Sequence, residues 1–318
     1  MAEDNKITSR DGGALRIWLL TDGKPGHRNQ LLGLANRLQA LAGAEIHWLK
    51  SQDYPLPWRR VLLGLPSALA NLPPPDMVIA AGSGTHPLLL ACRRHLQTLT
   101  VLLMRSYFPR HWVDLHIVPQ HDSPTPDSRT LITHGVLNNV VPKSQPVSDP
   151  RALVLIGGPS KHFHWSDDRV LEQLGLLFSQ YPHWQWQLTS SRRTPPALVE
   201  ELAALDYPQV QYYHHEDTEP GWLPQQLAAS RVVWVTPDSG SMLYEALTSG
   251  SATGVLSLRP RGKTRGVRSV EQLSREGKVL TLAQREQLMS APPAAQQGLW
   301  EADRAARWLL KIYKGRQL

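Results

Sequence analysis

Short apolar runs alternate with segments of helical periodicity along the first half of the chain. The apolar runs predict buried strands, and apolar residues spaced three or four apart predict amphipathic helices between them. The predicted strands cover residues 16–20, 45–50, 76–82, 100–105 and 115–120, and the predicted helices cover residues 29–41 and 87–95. This alternation favours a parallel sheet with helices on both faces.

The alternation restarts after residues 143–152, which hold prolines and serines without periodicity and predict a linker. Strands are then predicted at residues 152–158, 184–190, 210–213, 232–236 and 252–258, and helices at residues 167–179, 196–205, 223–229, 241–248 and 297–313. The pattern predicts an α/β chain with two doubly wound, Rossmann-like domains. We assign these to residues 14–145 and 146–296, with a disordered tail at 1–13 and a helical segment at 297–318.

Composition narrows the function classes. The single cysteine, Cys92, allows no intramolecular disulfide, the polar start differs from a signal peptide, and no apolar run approaches the ~20 residues of a membrane span. We therefore expect a soluble, cytoplasmic protein. The formal charge is +7, and residues 255–318 hold thirteen lysines and arginines against five acidic residues. Without a zinc-finger spacing or an aromatic RNA-binding motif, we expect no nucleic-acid partner.

Two loops of the first half have a composition suited to holding a polar ligand. Each follows a predicted strand and precedes a predicted helix, where backbone N–H groups are exposed to a ligand. The candidate residues of these loops are Asp22, Gly23, Lys24, Gly26 and His27 in the first, and Gly82, Ser83, Gly84, Thr85 and His86 in the second. Pro87 occupies the place of the third glycine of a dinucleotide fingerprint, and Arg105 stands at the end of the next predicted strand in place of an acid for the ribose. Both argue against an NAD site and leave an NADP site open.

Two loops of the second half form a similar pair. The first, "IGGPSK", could place the amides of Gly157 and Gly158, the Ser160 hydroxyl and the Lys161 cation on a phosphate. The second, "PDSGSMLYEAL", puts Asp238, Ser239, Gly240 and Ser241 ahead of a helix, with Glu245 one turn beyond Ser241. A helix N-terminus favours an anion, and a carboxylate at residue 245 could accept hydrogen bonds from a ribose.

Histidine pairs at 162/164 and 214/215 lack the spacing of a metal site, so no metal is expected. No nucleophile elbow of the serine hydrolases occurs either.

The motifs "TDGKPGHRNQ", "GSGTHPLLLA", "HGVLNN", "IGGPSKHFHW" and "PDSGSMLYEAL" resemble the ELM1-like family of mitochondrial fission proteins, from about residue 15 to residue 258. The second half more distantly resembles the donor domain of GT-B glycosyltransferases that build cell-wall lipid intermediates. That resemblance implies two domains facing a cleft and a terminal helix that crosses back to the first domain. It implies that Glu245 holds the donor ribose, that residues 239–241 hold the diphosphate, and that Tyr213 and His214 flank the base.

The implied function is glycosyl transfer from a nucleotide-diphosphate sugar, a co-substrate, without a further cofactor. His27 is the candidate general base, because a neutral imidazole titrates near working pH, and Asp22 and His86 compete for that role. Aromatic and basic residues in segments 54–72 and 102–112 suggest an anionic membrane surface, peripheral attachment to its inner face and a lipid-linked acceptor. A sugar-nucleotide epimerase and a non-catalytic scaffold stay open as alternatives.

Overall fold

The computed structural model describes residues 9, 12–219, 221–291 and 298–317. The chain forms two compact units, one of residues 1–139 and 300–318 and the other of residues 140–299. Most of the tail predicted for residues 1–13 lies outside the described residues, as does the predicted start of the last helix at residue 297.

The first unit is built on a six-stranded parallel sheet in the order β2-β1-β3-β4-β5-β6. Its central strands are buried along their whole length, as expected for strands covered on both faces. The elements are β1 (Arg16–Thr21), α1 (Pro25–Ala42), β2 (Glu45–Lys50), β3 (Met77–Ala81), α2 (His86–His95), β4 (Leu99–Leu103), β5 (Leu115–Pro119) and β6 (Thr130–Thr133).

The second unit holds another six-stranded parallel sheet, in the order β10-β9-β7-β11-β12-β14, and a two-stranded antiparallel ribbon of β8 and β13. Its elements are β7 (Arg151–Leu155), β8 (Phe163–His164), α3 (Asp167–Gln180), β9 (Gln185–Thr189), α4 (Pro196–Ala203), β10 (Val210–Tyr213), α5 (Trp222–Ala229), β11 (Val232–Val235), α6 (Gly240–Ser249), β12 (Ala252–Val255), β13 (Arg259–Pro260), α7 (Arg265–Arg275), β14 (Leu280–Thr281) and α8 (Arg285–Ser290).

The last helix, α9 (Glu301–Gln317), belongs to the first unit. Its apolar face joins α1 on one side of the sheet, where Leu309 is fully buried. The Tyr313 hydroxyl donates to an Asp76 carboxylate oxygen at 2.9 Å, and the Arg37 guanidinium of α1 binds Asp303 at 2.6 Å. The expected return of the terminal helix to the first domain is therefore confirmed.

Alternating strand residues feed the two faces of each sheet. In β1, Ile17 and Leu19 point to the core shared with α1 and α9, whereas Trp18 and Leu20 point to the core shared with α2. The second unit repeats this arrangement, with α3, α4, α7 and α8 on one face and α5 and α6 on the other. The doubly wound architecture predicted from the sequence is confirmed.

Two local expectations need correction. Helix α1 begins at Pro25, four residues earlier than predicted, so His27 lies in its first turn and not in a loop. The fixed φ of proline suits that first position. The predicted linker is also less free than its composition indicates, because the Lys143 ammonium is buried against the Ser230 carbonyl and the Ser251 hydroxyl. That burial lowers the pKa of Lys143 to about 8.

Candidate functional site

Each sheet has a position where the chain leaves two neighbouring strands in opposite directions. In the second unit these strands are β7 and β11, and in the first they are β1 and β3. Ligands of open α/β sheets bind outside the carboxyl ends of the strands at such switch points. All four loops selected from the sequence follow these strands, so the fold brings each pair together at one sheet edge.

Asp238 joins the two loops of the second unit. Its side chain is fully buried, and Oδ2 accepts hydrogen bonds from the Gly158 N–H at 3.0 Å and the Arg193 guanidinium at 2.6 Å. Oδ1 is buried with no hydrogen-bond partner among the described residues. A β-carbon on Gly157 would lie 2.3 Å from the carboxylate, so only glycine fits there. Asp238 therefore holds the backbone of the glycine loop in its observed conformation.

Arg193 braces the same loop and was not found from the sequence. Its guanidinium donates to the carbonyls of Gly158 and Pro159, each at 3.2 Å. Its own carbonyl lies only 1.9 Å from where a β-carbon on Gly158 would stand. The one signal in the sequence is position, because residues 190–194 follow β9 at the same sheet edge.

Ser160 and Lys161 complete the glycine loop. The Ser160 hydroxyl accepts the backbone N–H groups of His162 and Phe163, at 3.2 and 3.3 Å, so it closes a local turn. Lys161 is exposed. The glycine loop thus carries the exposed Lys161 ammonium next to backbone groups that Asp238 and Arg193 hold in place.

Helix α6 begins at this switch point without a side-chain cap. Ser239 occupies the N-cap position but its side chain makes no cap hydrogen bond, and the first turn, which includes Gly240 and Ser241, holds no acidic residue. By contrast, Ser166 caps α3 and Thr264 caps α7. The first N–H groups of α6 are therefore not met by a capping side chain, and such groups can bind an anion.

Glu245 lies in the following turn of α6 and is only 7% exposed. Ser241 is exposed, so the two residues differ in burial although they are four apart. The apolar neighbours Leu243 and Ala246 bury this part of the helix. Burying a carboxylate costs folding free energy unless the carboxylate is hydrogen-bonded. A buried glutamate near a helix start is therefore typical of a residue with a binding or positioning role.

Tyr213 is the last residue of β10 and His214 follows it, and β10 lies two strands away from β7, which the glycine loop follows. The Tyr213 ring packs against Trp222 of α5, with ring centroids 4.9 Å apart. The His214 and His215 rings are 4.4 Å apart. Burial, followed by the neighbouring His214, lowers the pKa of His215. These rings could form one wall for a planar base.

In the first unit, Asp22 and His27 form a hydrogen-bonded pair. His27 Nδ1 lies 2.8 Å from Asp22 Oδ1, and the Asp22 side chain is 7% exposed. Gly82 is in a left-handed conformation with φ +96°, and a β-carbon there would lie 2.3 Å from Asp22 Oδ2 and 2.5 Å from His27 Nδ1. The pair therefore packs directly on the second loop. Such a carboxylate orients an imidazole so that Nε2 is available for proton transfer.

The other first-unit candidates have different surroundings. The Lys24 ammonium lies 3.7 Å from an Asp22 carboxylate oxygen. Gly23 has φ +79° in the turn before α1, and Gly26 is exposed in the first turn of that helix. The Thr85 hydroxyl donates to the Gly82 carbonyl at 2.7 Å and is buried, so only the Ser83 hydroxyl of this loop, beside Gly84, is exposed to a ligand.

His86 is 3% exposed and packs edge-on against Phe108, with ring centroids 5.0 Å apart. Burial lowers its pKa, and the Asp22 charge opposes that shift. A depression of about 840 Å³ opens beside Asp22, at the carboxyl ends of β1 and β2, and its lining includes Lys24, Arg28 and Trp48.

Among the described residues, no group of three histidine, cysteine or acidic side chains is arranged to hold a metal ion. No helix in the described part of the chain is both long and apolar enough to cross a membrane.

Solved structures with the same fold cover nearly the whole chain. A Listeria monocytogenes protein assigned as a UDP-N-acetylglucosamine 2-epimerase aligns with a TM-score of 0.62 at 15% identity, over 96% of this chain and 97% of that one. MurG from Acinetobacter baumannii gives 0.53 at 14% identity, over 94% and 99%. The spinosyn forosaminyltransferase SpnP gives 0.55 at 13%, over 95% and 100%. These likenesses show the GT-B fold.

Comparison with curated protein sequences finds no match. A family profile does match, and it spans residues 25–313. The chain therefore belongs to the family described as mitochondrial fission ELM1.

Proposed function

We propose that the second unit binds a nucleotide-diphosphate sugar and that the protein transfers the sugar to an acceptor hydroxyl. The observation that carries the proposal is the switch point of the second unit. There, a glycine loop braced by Asp238 and Arg193 adjoins the uncapped start of α6. Backbone N–H groups and a helix N-terminus bind phosphates without a metal.

In this proposal the diphosphate lies against the glycine loop and residues 239–241, with Lys161 as an exposed cation on the same loop. Glu245 accepts hydrogen bonds from the ribose, and Tyr213 and His214 flank the base. Structures with the same fold include an epimerase described in complex with UDP-N-acetylglucosamine and UDP, which makes a uridine nucleotide the first ligand to test.

The first unit supplies the acceptor side. His27, held by Asp22 at 2.8 Å, takes the proton of the acceptor hydroxyl as that oxygen attacks the anomeric carbon. The bond from that carbon to the diphosphate breaks, and the nucleoside diphosphate leaves with the electron pair. Neutral imidazole suits this role. Asp22 acts as a positioning residue, because its own oxygen is engaged by the imidazole.

The acceptor is proposed to be lipid-linked, with the first unit attached to an anionic membrane surface. The two aromatic segments meet there: Trp58 and Phe108 have ring centroids 6.4 Å apart, and Phe108 stacks on Trp112 at 6.1 Å. Leu62 and Leu63 beside them are 73% and 80% exposed. Exposed apolar side chains among arginines suit a headgroup region.

Co-sedimentation with phosphatidylglycerol vesicles tests this attachment. The variant Leu62→Ser/Leu63→Ser should lose most binding. The control Val141→Ser, at an exposed apolar residue of the other unit, should keep it. Equal binding by both variants would remove the membrane part of the proposal.

A sugar-nucleotide epimerase is the second candidate, favoured by the convergence of His27 and His86 on the Asp22 carboxylate. Such an enzyme changes the sugar without an acceptor. Incubation of the protein with UDP-N-acetylglucosamine alone, followed by NMR, separates the two functions. A second sugar nucleotide at equilibrium would favour the epimerase, and an unchanged one would argue against it.

The binding claim is tested by thermal shift of the full chain with UDP, GDP, CDP, ADP, CMP and NADP. A ligand specific to the folded state raises the melting temperature, by an amount equivalent to about 2.7 kcal/mol at a hundred times its Kd. We expect one nucleoside diphosphate to stabilise the protein, and Glu245→Ala to lose the effect. Glu201→Ala, an exposed control on α4, should retain it. Silence across the panel would favour a scaffold without a nucleotide site.

A further inference from the structure

A cluster of cations lies beside the glycine loop, on the segment of residues 259–268, here called the basic loop. This segment holds five arginines and lysines and no acidic residue. All five are exposed, and four of them make no ion pair among the described residues: Arg259, Arg261, Lys263 and Arg268. The positive charge that residues 255–318 carry in excess is therefore densest in the basic loop.

Hydrogen bonds fix the basic loop against the residues that follow the glycine loop. Strand β13 pairs with β8, and the Arg261 N–H donates to the His162 carbonyl at 2.8 Å. His162 Nδ1 lies 2.8 Å from the Thr264 hydroxyl. A β-carbon on Gly266 would lie 2.8 Å from the His162 ring, so the start of α7 packs directly on this histidine.

This pairing brings the cations close to the proposed diphosphate site. His162 is four residues beyond Gly158, so their Cα atoms are at most about 14 Å apart. Burial, then the charges of Lys161 and Arg265, lowers the pKa of His162. The positive charges of the two loops therefore act on His162, which lies between the glycine loop and the basic loop.

The number of cations exceeds what a nucleoside diphosphate needs. About two negative charges would already face Lys161, the loop amides and the start of α6, which carries roughly half a positive charge. The four cations of the basic loop that make no ion pair among the described residues come in addition. Charge complementarity at a binding site then calls for a further anion on the ligand.

We infer that the sugar carried by the nucleotide is acidic, and that Arg261 and Lys263 hold its anionic substituent. This inference rests on the proposed donor site. It names the substrate class: a nucleotide-diphosphate sugar with a carboxylate or a phosphate on the ring. Arginine and lysine are suited to both anions, through charge-assisted hydrogen bonds.

The test compares UDP-glucuronic acid with UDP-glucose, which differ by one carboxylate, by calorimetric titration of the full chain, with UDP alone as reference. A charge-assisted contact should make the acidic sugar nucleotide bind about ten- to a hundredfold more tightly. The double variant Arg261→Gln/Lys263→Gln should reduce this preference to about twofold without weakening UDP. The control Arg151→Gln removes a cation at the start of β7, at the opposite sheet edge, and should keep it.

The outcomes separate this inference from the proposed function. If UDP binds and both sugar nucleotides bind equally, the acidic-sugar inference is wrong and the donor site stands. If neither UDP nor any other nucleoside diphosphate of the thermal-shift panel binds, the donor site and the inference fall together. If the double variant keeps the preference but loses binding to phosphatidylglycerol vesicles, the basic loop contacts an anionic surface, and the inference is overturned.

Discussion

Replacing Asp238 by alanine tests whether this carboxylate holds the glycine loop in shape. The change leaves the buried Gly158 N–H without its acceptor at 3.0 Å and separates the Arg193 guanidinium from its partner at 2.6 Å. An unsatisfied buried donor costs about 1–3 kcal/mol. The Arg193 side chain is 43% exposed, so water replaces its lost partner and this contact adds little.

One effect opposes the loss. The alanine variant no longer buries Oδ1, which has no partner among the described residues, and this offsets part of the cost. We therefore expect a net loss in the lower part of that range, about 1–2 kcal/mol in the free energy of unfolding. Urea unfolding followed by circular dichroism measures it, with Asp206→Ala, an exposed residue of the same unit, as control. If both variants unfold within about 0.5 kcal/mol of the parent, the bracing role of Asp238 is refuted.

Four further variants test other parts of the account. Gly82→Ala should destabilise the protein by about 2 kcal/mol or more in urea unfolding, because its φ is +96° and its β-carbon would meet the Asp22 carboxylate, whereas Gly84→Ala, with a nearest contact at 3.2 Å, should cost less than half as much. Glu245→Gln should weaken nucleotide binding by about 1–3 kcal/mol in calorimetry, and unchanged affinity would remove the ribose assignment. His27→Gln should lower the turnover of a sugar nucleotide with the base found in the nucleotide screen by ~10²–10⁴, while the Kd of that sugar nucleotide stays constant. Full turnover in this variant would exclude the base role. Burial lowers the pKa of His86 in the folded protein below its ordinary value of 6.5. At a pH between the folded and the unfolded pKa, the unfolded chain therefore binds the proton more readily, and the stability of the fold falls as pH falls from about 7. His86→Gln should therefore reduce the loss of melting temperature between pH 7.5 and 5.5, and an identical pH profile would contradict this origin.

Continuous apolar runs and period-3.6 patterns suffice to predict the doubly wound architecture, because strands buried on both faces are continuous apolar runs such as residues 77–81. Elements with weaker signals were missed. Strand β6 is half-buried, and α7 is rich in arginine, so neither shows a clear apolar run. The start of α1 was placed too late although Pro25 is a typical first helical residue.

The candidate site shows a similar division. Loops rich in glycine after predicted strands were found, because backbone chemistry is readable from composition. Arg193 was not, since its role depends on a contact with Asp238, 45 positions along the chain. The buried state of Thr85 was not visible either, because its hydroxyl is engaged by the Gly82 carbonyl through a fold of the loop itself.

Hydrogen–deuterium exchange of the full chain, with and without a saturating concentration of the nucleoside diphosphate that stabilises it in the thermal-shift screen, tests the central claim most directly, because it locates the bound nucleotide. The account predicts slower exchange in peptides that cover residues 156–162 and 236–245, with those covering β2 unchanged. Protection confined to the first unit, or none at all, would contradict a donor site built on the glycine loop and the start of α6.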